Sequence, residues 1–132
     1  MKLSVIIPVY NERDTIEETL CRVQAVDVEK EVIIVDDCST DGTREILQQY
    51  HADGCRVLFH ARNQGKGAAI RTALNYVTGN IVIIQDADLE YNPQEYPLMM
   101  KPFVEKQADI VYGSRFLRGR PKMRLPNLIA NK

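Results

Sequence analysis

A chain of 132 residues, 45% of them hydrophobic and 27% charged, has the size of one domain and can bury about two-thirds of the surface its unfolded form exposes. No apolar run approaches the roughly 20 residues that span a bilayer. Leu3 opens a strand-like run with neither a charged leader nor a cleavage site before it, so neither a transmembrane helix nor an export signal is expected. The net charge of −1 is unevenly spread, because residues 110–132 carry six basic side chains and no acidic one. Such a segment suits phosphates or an anionic membrane face. Nucleic acid is not expected as a partner, since no aromatic is interleaved with those charges beyond Phe116.

Leu3 to Val9 reads as a buried strand ended by Pro8, and Asn11 to Val26 carries Ile16, Leu20 and Val23 at helical spacing. Glu31 to Val35 is a second buried strand, followed by the turn and capping residues Asp36 to Thr43 and a helix with Ile46, Leu47 and Tyr50. Arg56 to His60 is a shorter strand. Gly65-Lys66-Gly67 then opens a helix whose apolar face holds Ala69, Ile70, Ala73, Leu74 and Val77. After a turn at Gly79-Asn80, Ile81 to Gln85 forms a fourth strand. Asn92-Pro93 reads as an N-cap with proline at the first position of a helix reaching about Gln107, and Ile110 to Gly113 is a fifth strand. Strands alternating with helices predict an α/β fold, a mostly parallel sheet with helices on both faces and right-handed crossovers.

In such sheets ligands gather beyond the carboxyl ends of the strands, where the strand order reverses. Pro8-Val-Tyr-Asn-Glu12, Asp36-Asp37, Asp86-Ala-Asp88 and Gly113-Ser-Arg115 each follow a strand, so they are expected to line one crevice. Alone, Asp86 and Asp88 would read as a solvated turn. At a shared rim, paired carboxylates suit a hard divalent cation. Asp37 is equally suited to cap the following helix or to accept the ring N–H of a nucleobase packed on Tyr10 or Pro8. Lys66 is either a helix-start contact to a diphosphate or an exposed loop lysine. Gly65-Lys66-Gly67 matches neither a P-loop nor a dinucleotide fingerprint. The serines lack a nucleophile-elbow context. Three widely spaced cysteines, Cys21, Cys38 and Cys55, are expected to be reduced structural thiols in cytosol. His51 and His60, apart from each other and from any metal-ligand cluster, are assigned no role, and Tyr91, Tyr96, Met99 and Met100 are expected to pack a core.

The ordered set Ser4-Val-Ile-Ile-Pro-Val-Tyr-Asn-Glu12, Val35-Asp-Asp-Cys-Ser-Thr-Asp-Gly-Thr43, Asn63-Gln-Gly-Lys-Gly-Ala-Ala69, Asp86-Ala-Asp-Leu-Glu90 and Gly113-Ser-Arg115 resembles glycosyltransferase family 2. Within that family it is most similar to the polyprenyl-phosphate sugar transferases, the dolichol-phosphate mannosyltransferase branch. The resemblance implies a GT-A fold, a nucleotide-diphosphate sugar donor, Mg²⁺ or Mn²⁺, and inversion at the anomeric carbon. It places Pro8, Tyr10, Glu12, Val35 and Asp37 in a nucleoside pocket and Asp86 and Ala87 against ribose and diphosphate. Asp88 and Glu90 take the metal-ligand positions, and Arg115 a phosphate contact near the reacting centre. Arg118, Arg120 and Arg124 fall where relatives meet acceptor phosphate or membrane.

The expected function is transfer of a hexose from GDP-mannose or UDP-glucose to a polyprenyl phosphate, at the cytoplasmic face of a membrane with peripheral contact. A transferase acting on a saccharide hydroxyl and a non-catalytic nucleotide-binding module are the alternatives. Residues 1–132 are expected to be a single nucleotide-sugar-binding domain, the N-terminal part of a longer catalytic domain, with residues 115–132 facing acceptor or membrane. Weak or absent turnover by these residues alone is expected.

Overall fold

Seven consecutive apolar or small residues make β1 (Leu3–Val9) a strand that must be covered on both faces, and every one of its residues is buried. The computed structural model describes residues 2–90 and 92–97 and the backbone of residues 110–112. After β1 come α1 (Ile16–Gln24), β2 (Lys30–Asp36), α2 (Thr43–Gln48), β3 (Cys55–Phe59), α3 (Lys66–Leu74), β4 (Ile81–Ile84), a 3-10 turn at Pro93–Glu95 and β5 (Ile110–Tyr112). The five strands form one sheet in the order β3-β2-β1-β4-β5, and every pairing is parallel. The order runs one way from β1 to β3 and the other way from β1 to β5. The reversal therefore falls between β1 and β4, and their carboxyl ends open the crevice expected at a switch point.

Strand alternation divides the core in two. Leu3, Val5, Ile7 and Val9 share one cluster with Ile16, Leu20 and Val23 of α1 and Leu47 of α2. Ile6, Ile33, Val35, Val82 and Ile84 face the other way, toward Ala69, Ile70 and Ala73 of α3. Ile16, Leu20 and Val23 sit at i, i+4 and i+7 and are at most 2% exposed. Each such side chain stabilises the packed helix by about 1.5–3 kcal/mol. The small residues of α3 let that helix lie close to the sheet.

Two boundaries differ from expectation. Pro8 does not end β1. The β1–β4 register stops at Ile6↔Ile84, with the Gln85 amide bonded to the Ile6 carbonyl, while Val9 goes on to pair with β2 and accepts from the Asp37 amide. Proline, with no N–H to give, thus occupies the position where its β4 neighbour has already left the ladder. The first helix begins at Ile16 rather than Asn11, because Asn11 has φ 53° and residues 11–15 form a loop tied to the neighbouring one. Asn92 does cap its 3-10 turn, accepting from the Gln94 amide at 3.0 Å. Tyr96 is fully buried and donates to Gln85 Oε1 at 2.6 Å, as a core tyrosine should. Tyr91, and the part of the expected helix beyond residue 97 that holds Met99 and Met100, lie outside the described residues.

The opposite end of the sheet is closed by Glu31. Its carboxylate accepts from the Ser4 hydroxyl, from the Thr78 amide at 2.6 Å and from the Thr78 hydroxyl at 2.9 Å, and Lys2 Nζ lies 3.7 Å away. Burial pushes the Glu31 carboxyl up, but these hydrogen bonds and the Lys2 charge outweigh it and hold it below its ordinary value of 4.5. The unfolded chain therefore takes up this proton more readily than the folded one. The resulting stabilisation is present in full above pH 4.5 and is lost as pH falls through the lower folded value. Glu31→Gln is expected to flatten the acid limb of the Tm-against-pH curve below that point. A limb as steep as the wild type's would show that other carboxyls govern acid unfolding.

Candidate functional site

Three loops leave the carboxyl ends of β1, β2 and β4, and each contains one non-glycine residue at positive φ: Asn11 at 53°, Cys38 at 66° and Leu89 at 67°. Such backbone costs on the order of 1–3 kcal/mol per residue and persists only where its surroundings fix it. Here side chains do so. The Asn11 amide donates to Ser39 Oγ at 2.9 Å, Asn11 Oδ1 accepts from the Thr40 amide at 2.8 Å, and the Glu12 amide donates to Thr43 Oγ1 at 3.0 Å. Asp41 adds the Arg13 amide at 3.2 Å and the Thr43 amide at 3.0 Å. Burial raises the Asp41 carboxyl, while the Thr43 hydroxyl and amide and the Arg13 amide more than reverse this and hold it below its ordinary range. The first and second loops are therefore one stitched unit.

The third loop is gripped from α1. Thr15 Oγ1 and Thr19 Oγ1 both donate to the Ala87 carbonyl, the second at 3.2 Å, so the middle of Asp86-Ala87-Asp88 is fixed while its two carboxylates are left to diverge. Neither threonine was expected to serve the site. The signal in the sequence is a buried hydroxyl at 19 between the core positions Ile16, Leu20 and Val23, and it is legible only once the loop after β4 is known to lie against α1.

A crevice of about 390 Å³ opens between these loops. Pro8, Tyr10 and Glu12 line it from the end of β1 and the loop after it, Asp37 from the loop after β2, Lys66 from α3, and Asp86, Ala87, Asp88 and Glu90 from the loop after β4, with Val9 added to the expected set. Val35 does not reach it. Strand alternation sends that side chain, fully buried, into the cluster beneath α3. Arg115, Arg118, Arg120 and Arg124 lie outside the described residues.

Asp36 and Asp37 divide their tasks. Asp36 is buried and pairs with Arg44 Nη1 at 3.3 Å, whose guanidinium stacks 4.7 Å from the Phe59 ring centroid. Asp37 does not cap α2, which starts at Thr43 behind the N-cap Gly42, with Asp41 taking the Thr43 amide. It accepts instead from the Gln64 and Gly65 amides, each at 2.8 Å, just before α3. His60 is not isolated either: its Nδ1 lies 2.8 Å from Asp37 Oδ1 and its Nε2 2.8 Å from Thr72 Oγ1. Position 60 gave no such sign in the sequence, because its partners lie 23 residues before and 12 after it.

Lys66, the first residue of α3, reaches across the crevice to Asp86 Oδ1 at 2.6 Å. Asp86 thereby carries its own counter-charge, while exposed Asp88 uses Oδ1 to accept the Glu90 amide at 3.1 Å. Among the described residues no three His, Cys, Asp or Glu side chains converge closely enough to enclose an ion by themselves. An open rim of carboxylates beside a lysine and a helix start fits a cation held jointly with the oxygens of a bound phosphate. The three cysteines are free. Burial pushes the Cys55 thiol above its ordinary value, so it stays protonated.

A parallel sheet with a polar crevice at its β1/β4 switch point defines an open α/β domain with its ligand cleft at the carboxyl ends of the strands. The chain belongs to glycosyl transferase family 2, whose family model matches residues 4–128. It is 32% identical over 122 residues to the dolichol-phosphate mannosyltransferase of Pyrococcus furiosus, covering 90% of this chain and 34% of that protein. It is 39% identical over 106 residues to the undecaprenyl-phosphate 4-deoxy-4-formamido-L-arabinose transferase of Edwardsiella ictaluri, covering 75% and 33%. Among solved structures it resembles the mannosyltransferase PcManGT from Pyrobaculum calidifontis, in complex with GDP-Man and Mn²⁺, with a TM-score of 0.64 and 36% identity over 70% of this chain and 29% of that one. The fold is thus the GT-A arrangement. The chain spans about a third of the length of the curated relatives it matches. No helix among the described residues is long and apolar enough to cross a membrane.

Proposed function

We propose that this chain is the donor-binding part of an inverting glycosyltransferase that moves a hexose from a nucleotide-diphosphate sugar, GDP-mannose or UDP-glucose, to a polyprenyl phosphate. The observation that carries this is the placing of Asp86-Ala87-Asp88 opposite Asp37 across the switch-point crevice, with Lys66 between them. Tyr10, at 45% exposure, offers a ring face at the crevice mouth to a nucleobase, and Asp37 offers an acceptor for its ring N–H. Lys66 exchanges Asp86 for the diphosphate when donor binds. Pro8 and Glu12 close the β1 side of the pocket, with Val35 as buried backing, and Ala87, having a small side chain, lets ribose approach the backbone.

Asp88 and Glu90 would hold Mg²⁺ or Mn²⁺ together with donor phosphate oxygens and water. Such an ion supplies positive charge where negative charge grows on the leaving diphosphate. A phosphate-monoester acceptor is already anionic near neutral pH, so the protein has to position it rather than deprotonate it. We assign that positioning to Arg115 and the basic residues Arg118, Arg120 and Arg124. An acceptor of this kind is a membrane lipid, so the reading carries peripheral contact with an anionic cytoplasmic membrane face. The two curated relatives support a polyprenyl-phosphate acceptor by their names, and the Pyrobaculum structure supports a GDP-sugar with Mn²⁺.

Membranes of cells expressing the full-length transferase of which this chain is the donor-binding part, supplied with radiolabelled GDP-mannose or UDP-glucose and Mn²⁺, are expected to yield an organic-extractable, acid-labile product. A labelled product that is solely water-soluble would overturn the acceptor assignment and favour a saccharide acceptor.

A further inference from the structure

We propose that His60 is a positioning residue for the nucleobase contact of Asp37. It fixes that carboxylate so that one acceptor position faces the crevice, which selects bases with a ring N–H (guanine, uracil, thymine) over those whose corresponding nitrogen is an acceptor (cytosine, adenine). This rests on the reading above that Asp37 meets the base.

An ionised carboxylate only accepts, and it has about four acceptor positions. Three are filled from within the protein: His60 Nδ1 and the Gln64 amide on Oδ1, and the Gly65 amide on Oδ2, all at 2.8 Å. One position on Oδ2 is left for a ligand. Because the carboxylate accepts, Nδ1 carries the proton of that contact, and Nε2 lies 2.8 Å from the Thr72 hydroxyl, which holds the ring from its other side. Thr72 is two turns along α3 from Gly65, so α3 and the loop that leads into it hold Asp37 twice, directly through the Gln64 and Gly65 amides and indirectly through the imidazole that Thr72 meets. Both side chains of the pair are at most 8% exposed. Loss of the imidazole would leave Oδ1 short of a donor in a site that admits little water. The carboxylate could then rotate to recover one, and the lone acceptor aimed at the crevice would lose its direction.

The test is calorimetry on the expressed protein with GDP, UDP, CDP and ADP in Mn²⁺. The better of GDP and UDP is expected to bind at least about tenfold more tightly than CDP and ADP, the scale of one hydrogen bond to a charged group. Asp37→Asn is expected to remove that preference. A wild type without the preference, or an Asp37→Asn variant that keeps it, would defeat the base-pocket reading and this inference with it. If Asp37→Asn does lose the preference, His60→Ala is expected to reduce it to roughly threefold or less, through weaker binding of the favoured nucleotide with CDP unchanged. An unchanged preference in His60→Ala overturns this inference alone. His60→Asn keeps an N–H near the Nδ1 position and is expected to restore discrimination, whereas His60→Gln places its N–H near Nε2 and is not. This pair decides the matter even where the alanine variant fails to fold. Equal behaviour of the two, or equal weakening toward all four nucleotides, would leave His60 a packing residue and overturn the proposal.

Discussion

Replacing Asp88 with alanine in the full-length transferase is expected to lower kcat/KM by about 10²–10³-fold, the loss typical when one charge-stabilising group is removed from a reacting centre. The structure supplies the reason for so large an effect at an exposed residue. Ala87 is clamped by Thr15 and Thr19, and of the two flanking carboxylates Asp86 is half-buried and pairs with Lys66 at 2.6 Å before donor arrives, whereas Asp88 stands exposed at the rim where a cation would meet it. Nucleotide binding in the variant should lose its enhancement by Mn²⁺, which calorimetry with and without the metal would measure. Glu90→Gln, which keeps an oxygen at its position, should cost much less. An Asp88→Ala protein that binds GDP or UDP with an undiminished Mn²⁺ requirement would remove Asp88 from the metal site.

Gly79→Ala is expected to destabilise the fold by about 2–3 kcal/mol, the upper part of the range for overpacking a tight site. A Cβ there would stand 2.5 Å from Ser4 Oγ and 2.9 Å from both the Lys2 carbonyl oxygen and the Ser4 amide nitrogen. Two of those atoms are backbone, one in β1, the central strand, and one in the residue that leads into it, and neither can step aside. The Gly79 amide also donates to Ser4 Oγ at 2.9 Å, so displacement would disturb the hydroxyl that serves Glu31. Urea titration should show a lower midpoint with little change in slope. Adding Ser4→Gly should recover only part of the loss, because the two backbone contacts remain. A midpoint shift equivalent to less than about 0.5 kcal/mol would mean that the β1–β4 connection is looser than its geometry indicates.

Elements were legible wherever a local period carried them. β1, β2 and β4 announce themselves as apolar runs buried on both faces, and α1 and α3 as apolar residues at helical spacing, because those patterns are the physical requirement for burial in a two-sided parallel sheet. Boundaries failed where side chains reach between loops. Asn11 to Thr15 looked helical until the Ser39, Asp41 and Thr43 side chains were seen to claim its amides. Pro8 looked like a terminator until β4 was seen to leave the ladder before it.

The same division holds for the site. The sequence by itself determined which chemistry collects at the strand ends: carboxylates at 37, 86, 88 and 90, an aromatic ring at 10 and a lysine at 66. Residue types after apolar strands are a local property of the chain. Only the tertiary structure decided which of these groups meet and in what state. It turned Val35 away from the crevice, paired Lys66 with Asp86, gave the grip on Ala87 to two threonines some 70 residues earlier, and set His60 against Asp37. Those contacts join residues far apart in the chain through the β1/β4 reversal and the packing of α1 and α3, and no period or spacing records such a juxtaposition.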